Sequence, residues 1–287
     1  MIISINFANK PYEVQRRYNT STAYKYGKID QVIEYSPKDI DEQFLSENAK
    51  ILSCKRGAGL WLWKPYFILK TLEGIKDGDY LFYCDSGSFY VNTVNYLISA
   101  MNSVNQSVLG FELPLIMRQF TKKETFKIMS SNAYDENQNL ATFILFKKDD
   151  FSLKFVKEWL SFCCDERALS AEYFLSDVQE FDDFISHRED QSIFSILYKK
   201  YALISFRDPS QFGLRPFEYL WTNGYEGVWK RWIYRPLIYN NSPYPKILVL
   251  NRANPPKMFK RKEQIKDFLW RVGLYNEKVF RCKNVKD

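Results

Sequence analysis

Tyr80-Leu81-Phe82-Tyr83-Cys84-Asp85-Ser86-Gly87 is the stretch on which the fold turns. Its first five residues make a compact apolar strand, and Asp-Ser-Gly closes it with residues that favour turns. In open α/β sheets, ligands bind beyond the carboxyl ends of strands. An acid at that point, followed by small residues, can reach a metal while the backbone stays close to a phosphate. A hard divalent cation there would bridge carboxylate and diphosphate oxygens and neutralise a leaving group. Asp-Ser-Gly is also a good turn sequence with no further duty, so its surroundings decide.

Outward from this stretch, strand-like runs recur at Ile2–Phe7, Gln31–Tyr35, 108–113, 141–146 and 202–206. Helical patterns lie between them at 65–72, 93–101, 152–163 and 190–201. Pro65 opens the first, since proline is favoured at the first helical position. The third has apolar residues at 153, 155, 156, 159, 160 and 163, a period near 3.6. Strands alternating with helices predict an α/β fold, a mostly parallel sheet flanked by helices. After residue 207, Pro209, Pro216, Pro236, Pro243, Pro245, Pro255 and Pro256 break the chain, with Trp221, Trp229 and Trp232 among them. A basic helix follows over 261–272. The simplest division is one domain over 1–207 and an irregular, helix-containing extension over 208–287 that packs on it.

Of the 287 residues, 46% are hydrophobic and 26% charged, which suits a chain that buries a core. Aromatic residues make up 17%, enough to supply stacking faces for bases or sugar rings as well as core. The net charge is 41 minus 34, or +7. That fits an anionic ligand, an anionic membrane surface or nucleic acid without choosing among them. The excess falls late, in Lys257, Lys260, Arg261, Lys262, Lys266 and Arg271. Five cysteines without C-x-x-C spacing support neither a disulfide framework nor a zinc site, and one histidine excludes a His-rich metal cage. The N-terminus has no basic n-region, and no run approaches eighteen apolar residues. The expected location is therefore cytoplasmic.

Two further segments carry chemistry. In Arg56-Gly57-Ala58-Gly59-Leu60-Trp61-Leu62-Trp63-Lys64-Pro65, the glycines allow close approach. Lys64 there stands where free N–H groups of a helix start converge, an anion site to which Arg56 adds a bidentate contact. In His187-Arg188-Glu189-Asp190-Gln191-Ser192, polar groups cluster at a helix start. Asp190 reads there either as a helix cap or as a base or sugar-hydroxyl acceptor, with Gln191 beside it.

Together the three segments resemble bacterial GT-A-type glycosyltransferases of capsule, O-antigen and lipopolysaccharide gene clusters. The matching residues are Arg56-Gly57-x-Gly59-x-Trp61-x-Trp63-Lys64-Pro65, then Gly78-Asp79-Tyr80 with Tyr83-x-Asp85-Ser86-Gly87, then His187-Arg188-x-Asp190-Gln191-Ser192. Gln15 with the 23–35 stretch and the run 138–159 also look similar, so the likeness covers most of 1–205. It implies a nucleotide-sugar donor, most often a UDP-sugar, and a saccharide or lipid-linked acceptor. Residues 1–207 would then be the donor-binding catalytic domain. The Asp85 segment is similar to the Asp-x-Asp motif that holds a divalent cation, Mn or Mg. Here Tyr83 and Gly87 stand where a second Asp would be, so another ligand, a water or His187, would have to compensate. Asp190-Gln191 is similar to the Asp-Gln pair that contacts the donor sugar in retaining galactosyl- and glucosyl-transferases; in an inverting enzyme the same Asp would deprotonate the acceptor. On this reading Phe7 or Tyr12 stacks on the nucleobase. Gln15, Ser86 and Arg188 contact the donor, and Arg56 and Lys64 balance its diphosphate.

Two other classes fit less well. A nucleic-acid-binding module would use the charge and the aromatics, but no such motif is present and the basic residues gather at one end. A glycoside hydrolase needs two carboxylates flanking one bond. Asp85, Asp182, Asp183 and Asp190 are available and no pair stands out. The basic helix has two readings. An apolar stripe of Phe259, Ile265, Phe268, Leu269 and Val272 packs on the domain, or the Lys-rich face meets anionic lipid.

Overall fold

A computed structural model describes residues 1–222, 241–251 and 256–276. Trp229, Trp232, Pro236, Pro255 and Cys282 lie outside them. Six strands form the central sheet: β1 Ile2–Phe7, β2 Gln31–Tyr35, β3 Tyr80–Cys84, β5 Val108–Ile116, β6 Asn137–Lys147 and β7 Phe206–Arg207, in the order β2-β1-β3-β6-β5-β7. β1 pairs parallel with β2 and β3, and β5 parallel with β7. Only β6 runs against the others. The mostly parallel α/β fold expected from the sequence is therefore observed.

The two faces follow from the parity of side chains along each strand. Ile3, Ile5, Leu81 and Tyr83 enter one core with the helices α2 Trp63–Gly74, α4 Asp150–Cys163 and α5 Glu189–Lys200. Phe82 and Cys84 point the other way, into a second core with α3 Asn95–Ser103. β3 is covered on both faces, which is why it reads as an unbroken apolar run. α4 starts from a capping box between Asp149 and Ser152. It fully buries Phe155, Val156 and Trp159, each worth roughly 1.5–3 kcal/mol. α1, Glu13–Thr22, packs beside the two-stranded ribbon of β4 Ser88–Tyr90 and β8 Leu248–Leu250.

The sequence expected α2 to open at Pro65. It opens at Trp63 instead, with Pro65 inside the first turn, where a missing N–H costs no hydrogen bond. The strand expected over 202–206 shrinks to Phe206–Arg207. β4 and β8, three residues each, were too short to show a pattern.

The last helix, α6 Pro256–Arg271, divides the apolar stripe expected of it. Ile265, Phe268 and Val272 are 60%, 63% and 50% exposed, whereas Phe259 and Leu269 are half-buried and Trp270 lies 5.7 Å from the Phe217 ring. Charge also holds the helix. Glu263 and Asp267 both pair with the fully buried guanidinium of Arg215, which also binds Glu218 at 2.7 Å. No helix among the described residues is long and apolar enough to cross a membrane.

Candidate active site

The site begins with an unusual turn. Gly57, Ala58, Gly59, Leu60 and Trp61 all have positive φ, at 60°, 52°, 101°, 52° and 60°. The chain here makes one left-handed turn, which costs L-residues roughly 1–2 kcal/mol each. It is held by Leu60 N–H to Arg56 O at 2.9 Å and by the Trp63 indole N–H to Gly57 O at 2.9 Å. Gly59 is required there. A Cβ at that position would lie 2.9 Å from Leu52 Cα.

This turn, the end of β1 and the Asp85-Ser86-Gly87 turn border a cleft of about 240 Å³, lined among others by Phe7, Tyr12, Lys55, Trp61, Asp85 and Ser86. Past Trp61 and Asp85 it continues into a charged part lined by Arg56, Lys64, Arg188, Glu189, Asp190 and Gln191. The two parts share Trp61 and Asp85. Asp85 is thus both a turn residue, with Ser88 N–H donating to its carbonyl at 3.0 Å, and a cleft residue. Its Oδ1 accepts from the Tyr83 hydroxyl. Asn19 props the turn from behind, donating to Ser88 O at 2.9 Å.

The centre of the charged part is a buried ion pair. Lys64 Nζ lies 2.6 Å from Asp190 Oδ2, with side-chain exposures of 4% and 6%. Burial alone would push the Lys64 ammonium down, but Asp190 and Asp85 outweigh it and hold it above the usual lysine range. Burial pushes Asp190 up to about 6, against the pull of Lys64. Asp190 does not cap its helix; its carboxylate goes to Lys64, and its carbonyl accepts from Trp159 Nε1 at 3.1 Å. Gln191 donates to Gln138 Oε1 at 2.7 Å, which ties it to β6. Arg56 reaches back to Glu189 at 2.5 Å, and Glu189 sits at φ 38°, a second strained position at the site.

Several expectations change at this point. Lys64 does not stand in an open anion site at a helix start; it turns inward and pairs with Asp190. The ring of Phe7 is stacked on Trp63 with centroids 3.8 Å apart, so Tyr12, 40% exposed, offers the open aromatic face. Gln15 is buried on α1 and is not among the residues lining either part. Arg188 lines the charged part, with its guanidinium 5.4 Å over the Phe120 ring. Tyr83, Lys55, Trp61 and Glu189 enter the site without having been singled out as contact residues. Adjacency to Arg56 and to Asp190 was the signal available for Lys55 and Glu189.

The metal site expected from Asp85 and His187 does not assemble. His187 Nδ1 accepts from the Lys122 N–H at 3.2 Å, and Nε2 meets Ala168 O at 3.2 Å. Both ring nitrogens are therefore engaged by backbone. Burial and the Lys122 charge push the ring down to about 3, so it is neutral. Among the described residues no group of three His, Cys, Asp or Glu side chains is placed to hold a metal ion. The donor set does not fit a divalent cation.

No protein-family model matches the sequence, and no curated protein matches it. Solved structures do. Mouse xyloside xylosyltransferase 1 in its apo form aligns with 89% of this chain and 98% of its own, at 10% identity and a TM-score of 0.49. The galactosyltransferase LgtC, in complex with donor and acceptor sugar analogues, aligns over 88% of each chain at 13% identity and 0.46. The glycosyltransferase GlyE of Streptococcus pneumoniae TIGR4 aligns over 88% of this chain and 54% of its own, at 12% identity and 0.42. None of the three reaches 0.5, and the function is read from the geometry of the site.

Proposed function

We propose that this chain is a glycosyltransferase that moves a sugar from a nucleotide-sugar, a UDP-sugar in the first instance, to a saccharide or lipid-linked saccharide in surface-polysaccharide synthesis. The observation that carries this is a cleft of two adjoining pockets, sharing Trp61 and Asp85, beyond the carboxyl ends of β1 and β3. Its aromatic part and its charged part meet at Asp85.

Each part suits one end of such a donor. Tyr12 stacks on the base. Lys55 and Arg56, at the rim, face the diphosphate. Asp85, oriented by Tyr83, accepts a ribose or sugar hydroxyl proton, with Ser86 beside it. Asp190 and Gln191 orient the transferred sugar, and Arg188 borders it. In the reaction the bond from the anomeric carbon to the diphosphate oxygen breaks, and its electron pair leaves with the diphosphate. The acceptor oxygen bonds to the anomeric carbon, and the acceptor's proton departs to solvent. Fixed cations around the leaving group supply the stabilisation.

We assign residues 1–207 to the donor and residues 208–287 to the acceptor and membrane side, on the cytoplasmic face. The exposed Met258, Ile265 and Phe268 of α6, flanked by exposed Arg261 and Lys262, support that side. The test is nucleotide release from a panel of UDP-, GDP- and CMP-sugars. Release from one donor, reduced at least about tenfold by Asp85→Asn, is expected from loss of a charged contact. No release and no nucleotide binding across the panel would overturn the reading.

A further inference from the structure

We infer that Lys64 is the built-in cation of this site, so that donor binding and sugar transfer run without a divalent ion. The inference rests on the transferase reading and concerns how that cleft handles negative charge.

A divalent cation in a nucleotide site takes one or two protein carboxylates, with phosphate and water completing its oxygen shell. The two carboxylates nearest the junction of the cleft are already committed. Asp85 Oδ1 accepts from Tyr83, and Asp190 Oδ2 lies 2.6 Å from Lys64 Nζ. His187 is held by backbone at both nitrogens. The ammonium itself is enclosed, lying 5.3 Å from the centroid of the Tyr83 ring. Three separate elements therefore converge on one positive charge: α2 supplies it, and β3 with its turn and α5 surround it.

Without that charge, two carboxylates would face an incoming diphosphate, and only a dication could offset both. With Lys64 in place, the acid pair and the ammonium together carry one net negative charge. The rim cation Lys55 then meets the diphosphate directly, while Arg56, bridged to Glu189, borders it. A buried ammonium acts through a low effective dielectric, several-fold more strongly than in water, and needs no rearrangement when charge develops on the leaving oxygen. Its burial also explains why lysine fits here: a compact point charge can be locked between carboxylates, whereas a dication at that point would meet a like charge.

The experiment titrates the full chain with UDP by calorimetry, once in EDTA and once in Mn²⁺, and titrates it with Mn²⁺ alone by electron paramagnetic resonance. UDP affinities within about threefold of each other, and no Mn²⁺ bound by the chain, are expected. UDP binding tighter by about tenfold or more in Mn²⁺, or a Mn²⁺ ion bound by the chain alone and released by Asp85→Asn, overturns the inference. Lys64→Met should acquire the metal dependence the natural chain lacks, a change that a purely structural lysine would not produce. The comparison on the natural chain decides even if that variant does not fold. If no nucleotide binds in either buffer and no sugar is released, the transferase reading fails; the Mn²⁺ titration alone then supports or overturns the cation role of Lys64.

Discussion

At the scale of single residues, the Lys64–Asp190 pair dominates. Both groups have left water, so each depends on the other for its charge. Lys64→Met or Asp190→Leu alone leaves a buried unpaired charge and should cost about 3–5 kcal/mol. The double variant should cost less than either single change, because no charge is stranded. Urea unfolding of the three proteins measures this, and a strictly additive result would contradict it. The pair also sets a pH dependence. Asp190 is pushed up to about 6 by burial. Its ionised form is the one that accepts a hydrogen bond from a hydroxyl of the transferred sugar, so turnover should rise through that pH and level off above it. The stability sign is opposite. A folded value above the unfolded 3.8 means the folded chain holds the proton more tightly, so this group's contribution declines as pH rises from near 4 to near 6. A turnover profile flat across that interval would count against the role of Asp190.

At the scale of elements, the left-handed turn at 57–61 is the most demanding piece of backbone. It stores strain in Ala58, Leu60 and Trp61 and sets one wall of the cleft. Gly59→Ala adds a Cβ against Leu52 at φ 101°, and should cost roughly 1–3 kcal/mol while weakening nucleotide binding. Melting temperature and calorimetry read the two effects separately. α6 is the other element with a distinct expectation. Its Met258, Ile265 and Phe268 lie in the open, and the exposed Arg261 and Lys262 flank them. Co-sedimentation with vesicles containing phosphatidylserine should exceed that with neutral vesicles and should fall in Ile265→Asp/Phe268→Asp, in keeping with interfacial helices. Equal recovery of both proteins in the supernatant would remove this role.

At the scale of the whole molecule, Arg215 fastens the C-terminal helix to the rest through Glu218, Glu263 and Asp267. Arg215→Met leaves these carboxylates facing each other. It should lower stability by about 3–5 kcal/mol, visible in thermal unfolding. The sequence contained little hint of this cluster, since Arg215 and its partners on α6 are about fifty residues apart and each alone reads as a surface charge. The strands β1 and β3 themselves, by contrast, were legible, because a short apolar run depends only on neighbours in the chain. So was the end of β3, where an apolar run gives way to Asp85-Ser86-Gly87. The position of Asp190 at the start of α5 was legible too, but not what its carboxylate would meet.

Neighbouring residues were enough to specify a mostly parallel α/β sheet and the strand-end aspartate at 85, because periodicity and turn chemistry act over a few residues; joining the segments 56–65 and 187–192 to it rested on the family resemblance. Tertiary packing was needed to turn Lys64 toward Asp190 rather than a phosphate. It was needed also to engage both nitrogens of His187 with backbone, and to leave Ile265 and Phe268 of α6 in the open. Those outcomes depend on which distant groups share a desolvated space. A buried charge or ring nitrogen takes the nearest partner that offsets its lost hydration, whatever its distance along the chain.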